Sequence, residues 1–426
     1  MNVADSFRVA AALENLGYKP TSVPKEADVI VLNTCVVRAS AEQKAVGRLT
    51  SLKSLKTKNP DLVLSLMGCM VGIRDYEDLR KRYPYVDVFS QPSDPGPLIN
   101  FLQGKPEVHS AYREVADILD ADFAYTLPAT RSGSIVSAFL PIIYGCSHAC
   151  SYCVIPLRRG REISRKAEDV LKDARALAES GVKEITLLGQ IVDRYGQDIP
   201  GNPTLAELLR QIHDIDGLLR IRFLTSHPNW MSDDILDAVA ELPRVMPHIE
   251  LPNQAGDDTI LRNMRRGYTS EQYLATIAKI RDRLDEVSIA TDIIVGFPGE
   301  TEEQFERTVE VLETVKPDMT HVARYSPRPD TYSARKMADD VPEEEKMRRF
   351  RVIEKMQEDF STKINARYLG RDVPVLFEEK NRGRWRGRTP TNKLVFAESG
   401  QDLAGRIEDV HITWTGPWSM IGEITE

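Results

Sequence analysis

At 426 residues the chain exceeds a usual single domain, so two or three domains are expected. Its 42% hydrophobic content is that of an ordinary globular protein, no apolar run approaches the ~20 residues of a membrane span, and the N-terminus MNVADSFRVAAALENLG lacks the charged-then-apolar pattern of a secretory signal. A net charge of −8 argues against nucleic-acid binding by the whole surface while leaving room for a local basic patch.

Residues 1–105 alternate helix and strand. Asn2–Leu16 carries apolar residues at helical spacing, with Gly17 as a stop. Asp28–Asn33 reads as a buried strand ending at Thr34-Cys35, Arg38–Lys56 as a helix, and Asp61–Met67 as a second strand ending at Gly68-Cys69. Val86–Phe89 is a third strand, followed by a short Pro-bounded helix. This is the rhythm of a small open parallel α/β sheet, in which ligands gather beyond the carboxyl ends of strands. Cys35 and Cys69 both stand there, as ligands or as buried structural cysteines. The chain opens on a helix where the alternation calls for a strand, so a strand, its loop and a third cysteine are expected ahead of Met1.

Residues 106–131 read as a polar linker. From 132 to 362 a strand–helix unit repeats. Strands are legible at Ile135–Ile143, Glu184–Leu188, Arg220–Leu224, His248–Leu251, Ser288–Val295 and Thr320–Tyr325. Helices lie between them, with capping residues at Thr204/Glu207, Thr269 and Thr301/Gln304. Six successive βα units imply a curved parallel sheet, a three-quarter relative of the eightfold barrel, with its site at the carboxyl face. The strand ends there are polar. Gln190, Ser226, Gln254 and Asp292 stand at four of them and can hydrogen-bond a ribose or an amino-acid moiety, although each taken singly also suits a turn.

Just after the first of these strands comes Gly145-Cys146-Ser147-His148-Ala149-Cys150-Ser151-Tyr152-Cys153, with three of the chain's five cysteines spaced C-x3-C-x2-C. Three thiolates can serve three irons of a [4Fe–4S] cluster and leave the fourth open to a small molecule. Zinc remains an alternative, but it wants a fourth ligand, and His148 would have to fold back onto its own turn. A disulfide fits poorly with an odd cysteine count and no secretory signal. Clustered free cysteines without a signal point instead to the cytoplasm.

Asp339–Gln357 reads as a charged, solvated connecting helix. Residues 363–426 show short strands and turns at Val373–Phe377, Lys393–Phe396, Gly405–Thr413 and Met420–Ile424, which suggests a small β-barrel. Inside it Arg384, Trp385, Arg386 and Arg388 lie in an acid-free stretch, 380–397, suited to phosphate contacts and base stacking on RNA. A bland solvated hairpin is the other reading.

The cysteine spacing, with Tyr152 before the last cysteine, resembles the radical S-adenosylmethionine (SAM) enzymes. Over almost the full length the chain looks like a methylthiotransferase of that superfamily. The resemblance rests on YGCSHACSYCVIPLRRGREISR (144–165), VKEITLLGQIVDRYG (182–196), RIRFLTSHP (220–228), TDIIVGFPGET (291–301), YSPRPDT (325–331) and GRTPTNKLVF (387–396). Within the family the branch most resembled is that of the tRNA-2-methylthio-N6-dimethylallyladenosine synthases. Other branches modify threonylcarbamoyl-adenosine of tRNA or an aspartate of a ribosomal protein.

The resemblance implies an N-terminal methylthiotransferase domain, a radical SAM partial barrel and a C-terminal RNA-binding barrel of the kind called TRAM. It implies that Cys146, Cys150 and Cys153 are catalytic and hold a [4Fe–4S] cluster that splits SAM into methionine and a 5′-deoxyadenosyl radical, with Tyr152 near the adenine. A second [4Fe–4S] cluster, on Cys35, Cys69 and a third cysteine, would carry the inserted sulfur, and a second SAM the methyl group. The product would be a methylthio group at C2 of the isopentenylated adenine beside the anticodon. The implied partners are a tRNA anticodon loop, an electron donor such as flavodoxin or ferredoxin, and an unknown sulfur donor, with the protein a monomer. The family's first motif is C-x-M-N, and this chain starts at Met1-Asn2. A start codon assigned too far downstream is therefore expected. If Met1 is the true start, two thiolates should hold the auxiliary cluster poorly, leaving a catalytically impaired iron–sulfur RNA-binding protein.

Overall fold

A computed structural model describes residues 1–73, 76–105, 127–131 and 133–425. The linker expected over 106–131 falls mostly outside the described residues. Three aliphatic stretches, β1 (Val29–Thr34), β2 (Val63–Gly68) and β3 (Val88–Ser90), form a parallel sheet in the order β1-β2-β3. Helices α1 (Asn2–Asn15), α2 (Ala39–Lys58), α3 (Glu77–Arg82) and α4 (Gly96–Leu102) accompany it. Gly68 has φ +95°, and a Cβ there would stand 2.6 Å from the Thr34 carbonyl oxygen, so only glycine lets the Cys69 turn cross so close to the end of β1.

The apolar run at 135–143 yields two elements rather than one strand. β4 (Ser137–Pro141) pairs in parallel with β7 (Glu184–Leu188), whereas β5 (Ile143–Tyr144) turns aside to pair antiparallel with β6 (Ile163–Ser164). Pro141 carries no N–H for continuing the ladder, which favours the break. β4, β7 and β8 (Arg220–Phe223) form one sheet; β9 (His248–Glu250), β10 (Ser288–Val295) and β11 (Met319–Arg324) form another. All six are parallel to their neighbours. The expected curved array is thus present but split between β8 and β9. There it is bridged by the Ile221–Val245 pairing and by the Ser226 N–H donating to the Glu250 carbonyl at 2.9 Å.

The helices of this region are α5 (Ile155–Arg159), α6 (Ala167–Glu179), α7 (Leu205–His213), α8 (Asp233–Glu241), α9 (Asp258–Asn263), α10 (Ser270–Arg283), α11 (Glu302–Val315), α12 (Tyr332–Lys336) and α13 (Glu343–Asn365). Complete capping boxes start α7, α10 and α11. α13 is not the solvated connector its composition suggests. Lys346, Arg349, Ile353, Gln357 and Ser361 form a buried stripe. Ile353 packs with Ile293 and Val295, and Arg349 donates to the Glu300 carboxylate at 2.8 Å.

At the C-terminus β12 (Asp372–Asn381), β13 (Arg384–Arg388), β14 (Leu394–Ala397), β15 (Ile407–Thr415) and β16 (Met420–Ile424) close into a barrel ordered β12-β13-β14-β16-β15. Strand alternation turns Trp385 inward, where it is 7% exposed and packs with Phe377, Val395 and Met420. The expectation of Trp385 as a stacking surface is therefore corrected: its ring is core. Arg384, Arg386 and Arg388 point outward, but each meets an acid from outside the acid-free stretch: Glu398 at 2.9 Å, Glu378 at 2.9 Å and Glu378 at 3.4 Å.

Two buried arginines bolt this barrel to the amino ends of the parallel strands. Arg220 donates to the carbonyls of Arg388 (2.6 Å) and Pro374 (3.1 Å). Arg222 donates to those of Pro390 (2.8 Å) and Thr389 (2.9 Å), and to the Glu184 carboxylate at 2.9 Å.

Candidate active site

The cysteine loop leaves β5 through Gly145, at φ +66°, where any Cβ would collide with the Arg161 carbonyl oxygen. The Cys146 N–H donates to the Gly160 carbonyl at 3.1 Å, closing the loop's base. Its far side is pinned at Ser151, whose N–H donates to Met264 (3.0 Å), whose hydroxyl donates to Asn263 (2.7 Å), and whose carbonyl accepts from Ser333 N–H (2.8 Å). The end of α9, which follows β9, and the first turn of α12, which follows β11, thus hold the loop that follows β5, all at the carboxyl face.

The three thiols differ sharply. Burial pushes Cys146 up to about 11 and Cys153 up to about 12. Burial acts on Cys150 in the same sense, but the His148 imbidazole nitrogen at 3.2 Å and the Arg266 guanidinium at 3.3 Å outweigh it and bring that thiol down to about 7. Two of the three sulfurs ionise only beside a strong positive charge, which a bound metal centre provides. Among the described residues no three His, Cys, Asp or Glu side chains converge where a single ion would sit. A loop with three thiols suits a [4Fe–4S] cluster with one iron left open better than a structural zinc, which takes four protein ligands, and the buried Arg266 guanidinium offsets the negative charge of the thiolates.

Around the loop lie the strand-end residues. Tyr152 is half-buried, its ring 6.5 Å from that of Phe297. Gln190 is half-buried after β7, and Ser226 is buried after β8. Gln254, at φ +77°, uses its main chain as a bridge, its N–H donating to the Asp292 carbonyl and its own carbonyl accepting from the Ile294 N–H. Asp292 is half-buried on β10. It lies on the same side of the sheet as Glu250, the partner of Ala290. Burial, then the neighbouring Asp292 carboxylate, push Glu250 up to about 7. Burial raises Asp292 too, while His321, Arg38 and Arg266 pull it back.

Several polar residues here were not singled out from the sequence. Arg266, 5% exposed, also donates to the Tyr268 hydroxyl (3.1 Å) and the Pro252 carbonyl (3.2 Å). Burial and the surrounding cations hold the His227 imidazole down to about 2. Its Nδ1 accepts from Asn229 N–H, and its buried Nε2 has no protein partner among the described residues. Asn253 is wholly buried, and both atoms of its side-chain amide likewise lack partners. Such orphaned groups at one face mark a place for a polar ligand. Beside Trp230 the face opens into a cleft of 610 Å³ bounded by Asp193, Tyr195, Asn229 and Ser232.

Cys35 and Cys69 directly follow β1 and β2, at the carboxyl end of the N-terminal sheet. Burial raises the Cys69 thiol, and the Arg159 guanidinium beside it acts in the opposite sense. Arg159 closes α5, directly after the cysteine loop, and donates to Asn2 Oδ1 at 2.7 Å and Asp5 Oδ2 at 3.3 Å. One short helix therefore links the cysteine loop to the segment around Cys69. The Arg384, Arg386 and Arg388 face belongs to neither.

Residues 140–312 match the radical SAM superfamily, and residues 1–90 match the uncharacterized protein family UPF0004. The tRNA-2-methylthio-N6-dimethylallyladenosine synthase of Roseiflexus sp. is 50% identical, covering 99% of this chain and 87% of its own length. The chain belongs to this synthase family. The Herpetosiphon aurantiacus synthase is 45% identical over 100% of the chain and 95% of its own length. Among solved structures, the radical SAM methyltransferase TsrM from Kitasatospora setae, with cobalamin and a [4Fe–4S] cluster bound, has a TM-score of 0.57 at 16% identity, covering 77% of this chain and 73% of that one. That likeness concerns the fold alone. Family membership and the closed C-terminal barrel bear out the expected fold class. Among the described residues no helix is long and apolar enough to cross a membrane.

Proposed function

We propose that the chain is a radical SAM tRNA methylthiotransferase that installs a methylthio group at C2 of N6-isopentenyladenosine beside the anticodon. The observation that carries this reading is the 50% identity to a synthase of that name over 99% of the chain, supported by three cysteines spaced C-x3-C-x2-C in one pinned loop. The residue roles are inferences from the geometry. Cys146, Cys150 and Cys153 would hold one [4Fe–4S] cluster, and Cys35 and Cys69 would supply two ligands to a second. When bound, the clusters and SAM supply the one-electron chemistry and sulfur that an unactivated aromatic C–H bond demands.

The chain's own residues bind, orient and exclude water. Arg266 offsets the negative charge of the thiolate set, while Ser151 and its partners fix the loop. Gln190, Ser226, Gln254 and Asp292 offer polar contacts along the carboxyl face, with Tyr152 as an apolar wall, and the unpartnered His227 Nε2–H and Asn253 amide add donors and an acceptor. The proposed domains are 1–105 for the auxiliary centre, 132–362 for the SAM-cleaving core and 363–426 for an RNA-gripping barrel. An external electron donor and sulfur source would be required.

Anaerobic reconstitution followed by mass spectrometry of tRNA nucleosides tests the reading. Wild type should convert isopentenylated adenosine to its methylthio form, and Cys150→Ala should form no 5′-deoxyadenosine. Conversion of threonylcarbamoyl-adenosine alone would reassign the substrate, and undiminished SAM cleavage by Cys150→Ala would refute the ligand assignment.

A further inference from the structure

The outward arginines of the small barrel each meet a glutamate, so the barrel shows little unbalanced positive charge at β13. The lip of the cysteine loop is different. Arg262, Arg265, Arg335 and Lys336 are exposed there, and none has a carboxylate partner among the described residues. Two of their neighbours, Met264 and Ser333, hydrogen-bond the same loop residue, Ser151, from opposite sides. The next residues outward, Arg265 and Tyr332, stack on each other, the guanidinium carbon 3.8 Å from the ring centroid.

The pair does no evident work for the fold. Tyr332 opens the five-residue helix α12, is 39% exposed and joins none of the hydrophobic cores. Arg265 follows α9 at φ +59°, a left-handed position that favours glycine or asparagine over arginine. An exposed aromatic capped by a guanidinium, ringed by free cations, is the surface that an unpaired nucleobase and its phosphates recognise.

We propose that Tyr332 and Arg265 form a stacking platform for an unpaired RNA base flanking the one that reacts, with Arg262, Arg335 and Lys336 along its phosphates. The inference rests on the RNA-modifying reading of the cysteine loop and locates the grip at the reaction face. It is tested by measuring the affinity of the reconstituted protein for a stem-loop RNA, and for the same RNA with single abasic sites moved through the loop. Tyr332→Ala should weaken binding roughly ten-fold, whereas Tyr332→Phe, which keeps the π face, should stay within about two-fold. One abasic position should bind wild type and Tyr332→Ala equally. Iron content and thermal midpoint should not change in either variant. Equal affinity of Tyr332→Ala and wild type, or a loss that persists at every abasic position, would overturn the platform alone. A wild type that prefers no stem-loop over duplex RNA would overturn both the platform and the RNA-modifying reading.

Discussion

Arg266 reaches Cys150 with one guanidinium nitrogen at 3.3 Å while its other two nitrogens hold the Tyr268 hydroxyl and the Pro252 carbonyl. A planar fork serves three acceptors in fixed directions, which an ammonium cannot copy. Arg266→Ala removes three hydrogen bonds but leaves Pro252 with the Tyr268 hydroxyl and Cys150 with His148, so it should cost only about 1–2 kcal/mol of stability in the apo protein, read as a lower urea midpoint. Iron and sulfide bound after anaerobic reconstitution should fall as well, with Arg266→Lys in between. Full iron loading in Arg266→Ala would show that the loop needs no counter-charge.

Asp193 carries a pH signature. Burial pushes its carboxyl from 3.8 up to about 7, only partly offset by the His227 N–H that donates to it at 2.9 Å. A carboxyl raised on folding gives its full stability below the unfolded value and loses it as pH climbs through the folded one. The penalty therefore grows from about pH 4 to about pH 7 and is then constant, reaching on the order of 4 kcal/mol. Asp193→Asn should match wild type near pH 4 and unfold at higher urea near pH 8. Parallel stability profiles for the two proteins would refute this assignment.

Trp385 and Arg384 are neighbours in sequence with opposite expected phenotypes. Trp385→Ala should cost about 3–5 kcal/mol by emptying the small barrel's core, and Trp385→Phe much less. Arg384→Ala should change stability by less than about 0.5 kcal/mol, since its pair with Glu398 is exposed. Calorimetry separates the two, and a Trp385→Ala barrel that melts like wild type would return the indole to the surface.

Arg222 and Glu184 form a buried ion pair at the junction with that barrel. Removing only the arginine strands the carboxylate and should cost about 3–5 kcal/mol, whereas replacing both by apolar residues should recover much of the loss. Limited proteolysis near the end of α13 should release the barrel faster from Arg222→Ala than from wild type. Unchanged release would mean the carbonyl contacts of Arg220 suffice.

Much of this was legible in the chain because the signals were local. Aliphatic runs marked the parallel strands, Thr204/Glu207 and Thr301/Gln304 marked helix starts, and the cysteine spacing marked its loop. What escaped depends on distant partners. The stripe Lys346–Arg349–Ile353–Gln357 looks solvated until Glu300 and Asp318 are seen opposite it. Trp385 looks like a reader of bases until strand alternation turns it inward. Arg266, in a polar helix end, gives no periodic signal, and its role appears only when β9 and the cysteine loop meet.

The barrel is fastened at the amino ends of the strands, and the cysteine loop opens at their carboxyl ends. A five-residue strand is about 17 Å long, so the two faces are separated by about half of one ~34 Å helical turn of a nucleic-acid duplex. A free nucleoside is too small to touch both. Should the barrel grip RNA, the rigid seam between Arg222 and Thr389 would act as a caliper, admitting only a folded molecule large enough to reach around the side of the sheet.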